Sequence, residues 1–315
     1  MKSKTPLVKA DATTREWVWR AWQTKRVIPA FNIPYLPMMK PVVQALADTR
    51  TAGLIMVARL EWVKFAAGGV QAIRDQYEAV ADRRFTRLHL DHVPVIDEDD
   101  QVVDYAADIG DAIRAGYESV MVDGSRLALD ENIACTARIA TLAHATGIPV
   151  EAELGAVMGH ESGPLPPYET LFKSRKGFTD LDQAERFVRE SGCDWLSVAI
   201  GNIHGAISAV GKTQDKIRAR LDIAHLAALN ARCGIPLVLH GGTGIARECV
   251  REAIRNGIAK INIATAIRQP YERNLSVSQA AACDAVYAET VRVITDELDM
   301  AGSADALLRP LNTEP

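Results

Sequence analysis

An α/β fold built as a closed (β/α)8 TIM barrel is predicted by three observations on this sequence of 315 residues. Eight short runs rich in Val, Ile and Leu recur along the chain, and each is followed by a segment with helical periodicity. The glycine-rich phosphate loop of the open, doubly wound alternative is missing after the first run, where AFNIPYLP stands instead. Strands that are apolar on both faces and alternate with helices demand a parallel sheet covered by its crossovers, and eight such units suggest closure. The expected organisation is one domain over residues 1–315, with the barrel at about 27–274 and a C-terminal helical extension over about 275–315.

The first element is a helix in TTREWVWRAWQTKR, where Trp17, Val18, Ala21 and Trp22 cluster; it is expected to close the lower end of the barrel. The strands then follow as VIPAFNI, GLIMVA, RLHLDH, SVMVDG, IPVEAELG, WLSVAIG, IPLVLHG and AKINIAT. Between the fourth and fifth, Asp130 is placed to cap a helix, Ile133, Ala137 and Ala140 repeat on one face, and Gly147 stops it. ARECVREAIRNG reads the same way. After Asn274 come one or two amphipathic helices centred on VYAETVRVITDEL, the expected place for subunit contacts in a homodimer or homotetramer.

Composition removes several function classes. The chain is 48% hydrophobic and 24% charged with a net charge of -4, and no long run of lysine or arginine offers a footprint for nucleic acid or an anionic membrane. Any bound anion must therefore be held locally. Cys135, Cys193, Cys233, Cys249 and Cys283 are scattered and odd in number, as expected of reduced thiols. The N-terminal stretch lacks the apolar core of a secretory signal, and no segment approaches the roughly 20 apolar residues of a membrane span, so a cytoplasmic location is expected.

In a barrel of this kind the C-terminal ends of the strands carry the chemistry. Here those ends deliver Asn32, Arg59, Asp91 with His92, Asp123, Glu151 with Glu153, Asn202 with His204, His240, and Asn262 with Thr265. Stability alone does not ask for a polar group from nearly every strand, because each buried one costs free energy unless it is paired. His92, His204 and His240 fall where strands three, six and seven should end. Neutral imidazoles converging from separate strands make a three-ligand zinc site with one position open, the arrangement of a catalytic metal. His144 and His225 lie in helical patterns and His89 inside strand three, so all three are read as structural; His160 lies in a loop.

HGGTG, from His240 to Gly244, and NIAT, from Asn262 to Thr265, follow strands seven and eight. Glycines there let backbone N–H groups approach an anion, and a helix begins directly afterwards. This corner of such barrels commonly holds phosphate. The long loop MGHESGPLPPYETLFKSRKGF after strand five carries Glu161, which a closing loop would bring over the rim as a proton carrier.

LHLDH, SVMVDGS, ENI, VEAELG, AIGNIHG, PLVLHGGTGI and GIAKINIAT occur in an order and spacing, from about Ile28 to Ala266, that resembles the class II, zinc-dependent ketose-bisphosphate aldolases. The resemblance implies zinc held by His92, His204 and His240, with Glu153 as a nearby carboxylate that contacts the metal when it shifts. It implies Asp91 as the residue exchanging a proton with the hydroxyl that becomes the aldehyde, and Glu161 as the base at the donor carbon in the condensation direction. Gly205, Gly241, Thr243, Asn262 and Thr265 match phosphate-binding positions, where a monovalent cation such as Na+ or K+ often assists. The implied reaction is reversible retro-aldol cleavage of a phosphorylated ketose, or a related sugar acid, through a zinc-stabilised enediolate. A zinc-dependent isomerase or epimerase using the same enediolate, and a non-catalytic metabolite-binding homologue, are the competing readings.

The sequence departs from that family in three places. VPVIDEDDQVVDYAADIG inserts about a dozen residues after His92 and is expected on the rim of the site. Arg59 stands where a phosphate-contacting serine aligns, and arginine is a bidentate partner for phosphate or carboxylate. The lysine that often follows His-Gly closely is replaced by a later Lys212, and Ala264 within NIAT is as in tagatose-type members. The substrate therefore need not be fructose bisphosphate.

Overall fold

Parallel strands with two apolar faces need a cover on each, and the chain supplies it by closing the sheet on itself inside a ring of helices. The computed structural model describes residues 12–157, 167–203, 219–242 and 244–307. Eight strands, β1 (Ile28–Asn32), β2 (Gly53–Ala58), β3 (Thr86–Pro94), β4 (Ser119–Asp123), β5 (Val150–Leu154), β6 (Trp195–Val198), β7 (Leu237–Leu239) and β8 (Ile258–Ile263), form a closed barrel in chain order. Every neighbouring pair is parallel, and β8 returns to β1 with Ala30 opposite Asn262. All residues of β1, β2, β5 and β8 are buried, including the polar Glu151, Glu153, Lys260 and Asn262.

Helix Thr14–Gln23 starts on a capping box in which Thr13 and Glu16 satisfy each other's backbone N–H groups. It lies at the N-terminal end of the barrel: the guanidinium of Arg87, from the start of β3, sits 4.3 Å over the fully buried Trp17 ring and donates to the Ala12 carbonyl at 3.0 Å. The expected closure of the lower end is observed. Trp17→Ala should lower stability by about 3–5 kcal/mol, measured as a shift in denaturant midpoint, while the opposite rim keeps its ligand binding. At the other terminus, helix Gln279–Arg292 runs into a π-turn, Val293–Leu298, and is followed by helix Ser303–Leu307. No helix among the described residues is long and apolar enough to cross a membrane.

Candidate active site

Consecutive residues of a strand point to opposite faces, so Asp91 and His92 should not both reach one site. β3 solves this with a bulge. Leu90 pairs with Val120 and Val93 with Val122, so Asp91 and His92 together oppose the single residue Met121. His92 carries the associated distortion, with φ of 20°. Its Nδ1 then meets Asp123 Oδ2 at 3.0 Å, where the carboxylate also accepts from the Ser125 hydroxyl at 2.6 Å and its N–H at 3.0 Å. Burial alone would raise the Asp123 carboxyl, but these donors hold it well below the usual range. An ionised Asp123 keeps a proton on Nδ1 of His92, whether the ring is charged or neutral.

His240, at the end of β7, is fully buried and braced in the same way. Its Nε2 lies 2.9 Å from Glu151 Oε1, its Nδ1 lies 3.2 Å from Glu153 Oε2, and its carbonyl accepts from the Asn202 amide at 3.0 Å. The His92 and His240 rings approach to 4.5 Å between centroids. Ligand atoms of Asp91, His92 and His240 lie within 4.8 Å of one another, as do those of His92, Asp123 and Glu153. Burial opposes charge on His92, yet the carboxylates around it, Asp91 first, lift its pKa to about 10. The same surplus of negative potential suits a divalent cation, and this buried group of imidazoles and carboxylates is able to hold one.

Below the rim lies a layer that the sequence reading did not assign. The Lys260 ammonium, fully buried inside the barrel, reaches Glu151 Oε2 at 2.9 Å and Asn262 Oδ1 at 2.7 Å. Trp195 Nε1 adds a third donor to Glu151 at 2.6 Å. His89, read as structural, is buried beside them, 2.9 Å from the Ser119 hydroxyl and 3.6 Å from Glu151; burial pushes its pKa down to about 3. Period two would have found this layer, since His89 and Asp91, Glu151 and Glu153, and Lys260 and Asn262 are each two residues apart on one strand face.

Asp91 is clamped between two amides: Asn32 Nδ2 donates to Oδ2 and Asn262 Nδ2 to Oδ1, each at 2.9 Å. Asn32, Asp91, His92, Gly241, Asn262 and Thr265 line one cavity of about 100 Å³, together with Glu61 and Arg268, which the sequence reading did not single out. Gly241 has φ of 65°, a turn that a side chain would strain, and helix Thr265–Asn274 starts at this wall. The structure thus brings together Asn32, Asp91, His92, Glu153, His240, Gly241, Asn262 and Thr265. His204, Gly205, Glu161 and Thr243 lie outside the described residues.

The sequence profile described as fructose-bisphosphate aldolase class-II matches residues 12–306. The chain belongs to the class II fructose-bisphosphate aldolase family. It is 32% identical over 266 residues to the 6-phospho-5-dehydro-2-deoxy-D-gluconate aldolase of Halalkalibacterium halodurans, covering 83% of each chain. It is 31% identical over 260 residues to a fructose-bisphosphate aldolase of Streptococcus pyogenes, covering 81% of this chain and 79% of that one. Among solved structures, the YdjI aldolase from Escherichia coli K12 superposes with a TM-score of 0.72 at 25% identity, over 94% of this chain and 100% of that chain. The protein is accordingly an aldolase, a carbon–carbon lyase, which sets aside the non-catalytic reading.

In this aldolase the insertion after His92 is a tight hairpin, with Ile96 bridged to Val102 and the Asp97 carboxylate accepting from the N–H groups of Asp99 and Gln101. It walls a second cavity of about 470 Å³ that adjoins the first at Ala58, Leu60 and His92. Arg59 lines this second cavity, where its Nε donates to Asp108 at 3.0 Å and its Nη1 lies 3.5 Å from Asp97. Lys64 reaches Glu98 and Asp99 at 2.9 and 2.8 Å. Both cations tie helix Arg59–Lys64 to the segment after β3.

Proposed function

We propose that this aldolase cleaves a phosphorylated ketose, or a related sugar-acid phosphate, reversibly into a dihydroxyacetone phosphate-type donor and an aldehyde, with zinc as its metal. The observation that carries the reading is the meeting of Asp91, His92 and His240, whose ligand atoms lie within 4.8 Å of one another, beside a cavity that Asp91 and His92 line. His92 and His240, with His204 and the adjacent Glu153, would hold the ion. When bound, zinc supplies a positive charge that stabilises the electron pair left on the donor half.

The chain's own residues account for the rest. Cleavage breaks the bond between the donor carbon and the hydroxyl-bearing carbon; the pair stays with the donor, and the hydroxyl proton passes to Asp91 as the carbonyl forms. The amides of Asn32 and Asn262 fix both Asp91 oxygens for that transfer. Glu161 serves as the acid that returns a proton to the donor carbon. The phosphate is placed against Gly205, Gly241, Thr243, Asn262 and Thr265, where the N-terminus of helix Thr265–Asn274 adds its positive end.

Purified protein should contain about one zinc per chain, lose cleavage on treatment with EDTA, and regain it with Zn2+. The assay is a screen of phosphorylated ketoses and keto-sugar acids, with the three-carbon product trapped by a coupled dehydrogenase. Interconversion of whole sugars without fragments would replace the aldolase reaction by an isomerisation.

A further inference from the structure

Glu61 is the third residue of helix Arg59–Lys64 and is only 7% exposed, yet it lines the cavity that holds Asp91. One oxygen, Oε2, accepts the Ala58 N–H at 2.8 Å and the Asn32 amide at 3.3 Å. Its other oxygen receives no hydrogen bond from the described residues, and none of their lysines or arginines forms an ion pair with it. A carboxyl placed only to cap a six-residue helix does not need a substrate cavity around it.

Asp91 shows which part of the cavity Glu61 serves. Its Oδ1 is bound by Asn262, on the wall shared with Thr265, and its Oδ2 by Asn32, which also reaches Glu61. If the phosphate lies on the Asn262 side, the Asn32 side holds the aldehyde half. The charges there do not suit a second anion. In the adjoining cavity Arg59 is engaged by Asp97 and Asp108 and Arg126 by Asp100, while Glu98, Asp123 and Glu153 also line it. Arg268, in the first cavity, pairs through Nη1 with both oxygens of Glu272 at 2.7 and 2.8 Å. Burial pushes Glu61 up to about 8, aided by Asp91, so at neutral pH it carries a proton to donate.

We infer that Glu61 hydrogen-bonds a hydroxyl of the aldehyde half and that this aldolase accepts an uncharged hydroxyaldehyde there. The inference rests on the aldolase reading above and deepens it. It makes Glu61 a specificity-determining residue and a ketose monophosphate the substrate class.

The test uses the zinc-loaded enzyme in the condensation direction, with dihydroxyacetone phosphate as donor and glyceraldehyde, glyceraldehyde 3-phosphate or succinic semialdehyde as partner. Exchange of the donor carbon proton with solvent is followed separately. The wild type should prefer glyceraldehyde. Glu61→Ala should raise KM for glyceraldehyde about 10- to 100-fold and erode that preference while donor exchange continues. Glu61→Gln, which retains an acceptor for the Ala58 N–H and a donor toward the cavity, should fall between the two. A wild type that prefers either anionic aldehyde overturns the inference. So does a Glu61→Ala variant that keeps its KM, or one that loses exchange and condensation in equal proportion as a cap defect would. A wild type that neither exchanges nor condenses overturns the aldolase reading and this inference with it.

Discussion

Asp91→Ala is expected to retain the bound metal and to lose turnover by about 100- to 10,000-fold, the range supplied by a positioned general acid–base group. The geometry separates the two readouts. Asp91 has one oxygen bound by Asn32 and the other by Asn262, so its carboxylate is already committed to two amides when substrate arrives. His92 and His240 are braced independently, by Asp123 and Glu151. Removing Asp91 leaves those braces in place, and metal content should stay near one per chain. If the metal is lost together with activity, Asp91 is a ligand instead, as its closeness to both imidazoles permits. Unchanged turnover would end the role given to it. Asp91→Asn is a harsher probe than its shape suggests, because one amide nitrogen would face another donated by Asn32 or Asn262.

Much of the fold was legible because its physical causes are local. The continuous burial of β2 and β8 is the reason GLIMVA and AKINIA read as two-sided strands, and the parallel pairing follows from the helices between them. What spacing did not disclose is the bulge in β3. A regular strand would send His92 away from Asp91, and only the pairing with β4 shows that two residues oppose Met121. The sequence pair was therefore recognisable as chemistry before it was explicable as geometry.

The site was legible where a residue type has few other uses, and obscure where partners decide its role. His92 and His240 could be proposed from strand ends alone. Arg59 could not be placed, because its two partners, Asp97 and Asp108, come from and beyond an inserted segment whose path the sequence does not fix. Glu61 escaped notice because, as the third residue of a short helix, it looks like an ordinary cap; only Asn32 and the cavity reveal its other face. Lys260 was passed over as part of an apolar run, although a lysine inside such a strand has no water to meet and must find a carboxylate.

That carboxylate is Glu151, and breaking the pair should cost stability and metal binding together. Lys260→Met should destabilise the protein by about 3–5 kcal/mol, the usual result of leaving one partner of a buried ion pair uncompensated. Both side chains are fully buried, 2.9 Å apart, and burial alone would raise the Glu151 carboxyl; Lys260 is foremost in holding it well below its ordinary value. The same ammonium turns Asn262 so that its Oδ1 faces Lys260 at 2.7 Å and its amide faces Asp91. Without it Glu151 is free to take a proton, and a neutral Glu151 no longer enforces the tautomer of His240 through their 2.9 Å contact. Zinc affinity should therefore fall about 10- to 100-fold alongside the stability, as when other outer-shell partners of a metal ligand are lost. Glu151→Gln/Lys260→Met should recover most of the stability, since no buried charge is stranded, but not the zinc affinity, since glutamine is a weaker acceptor for the His240 ring. Denaturant midpoints on the metal-free proteins and competition with a zinc chelator read the two quantities separately. A double variant as unstable as Lys260→Met alone would mean that the ammonium acts through packing and not through Glu151.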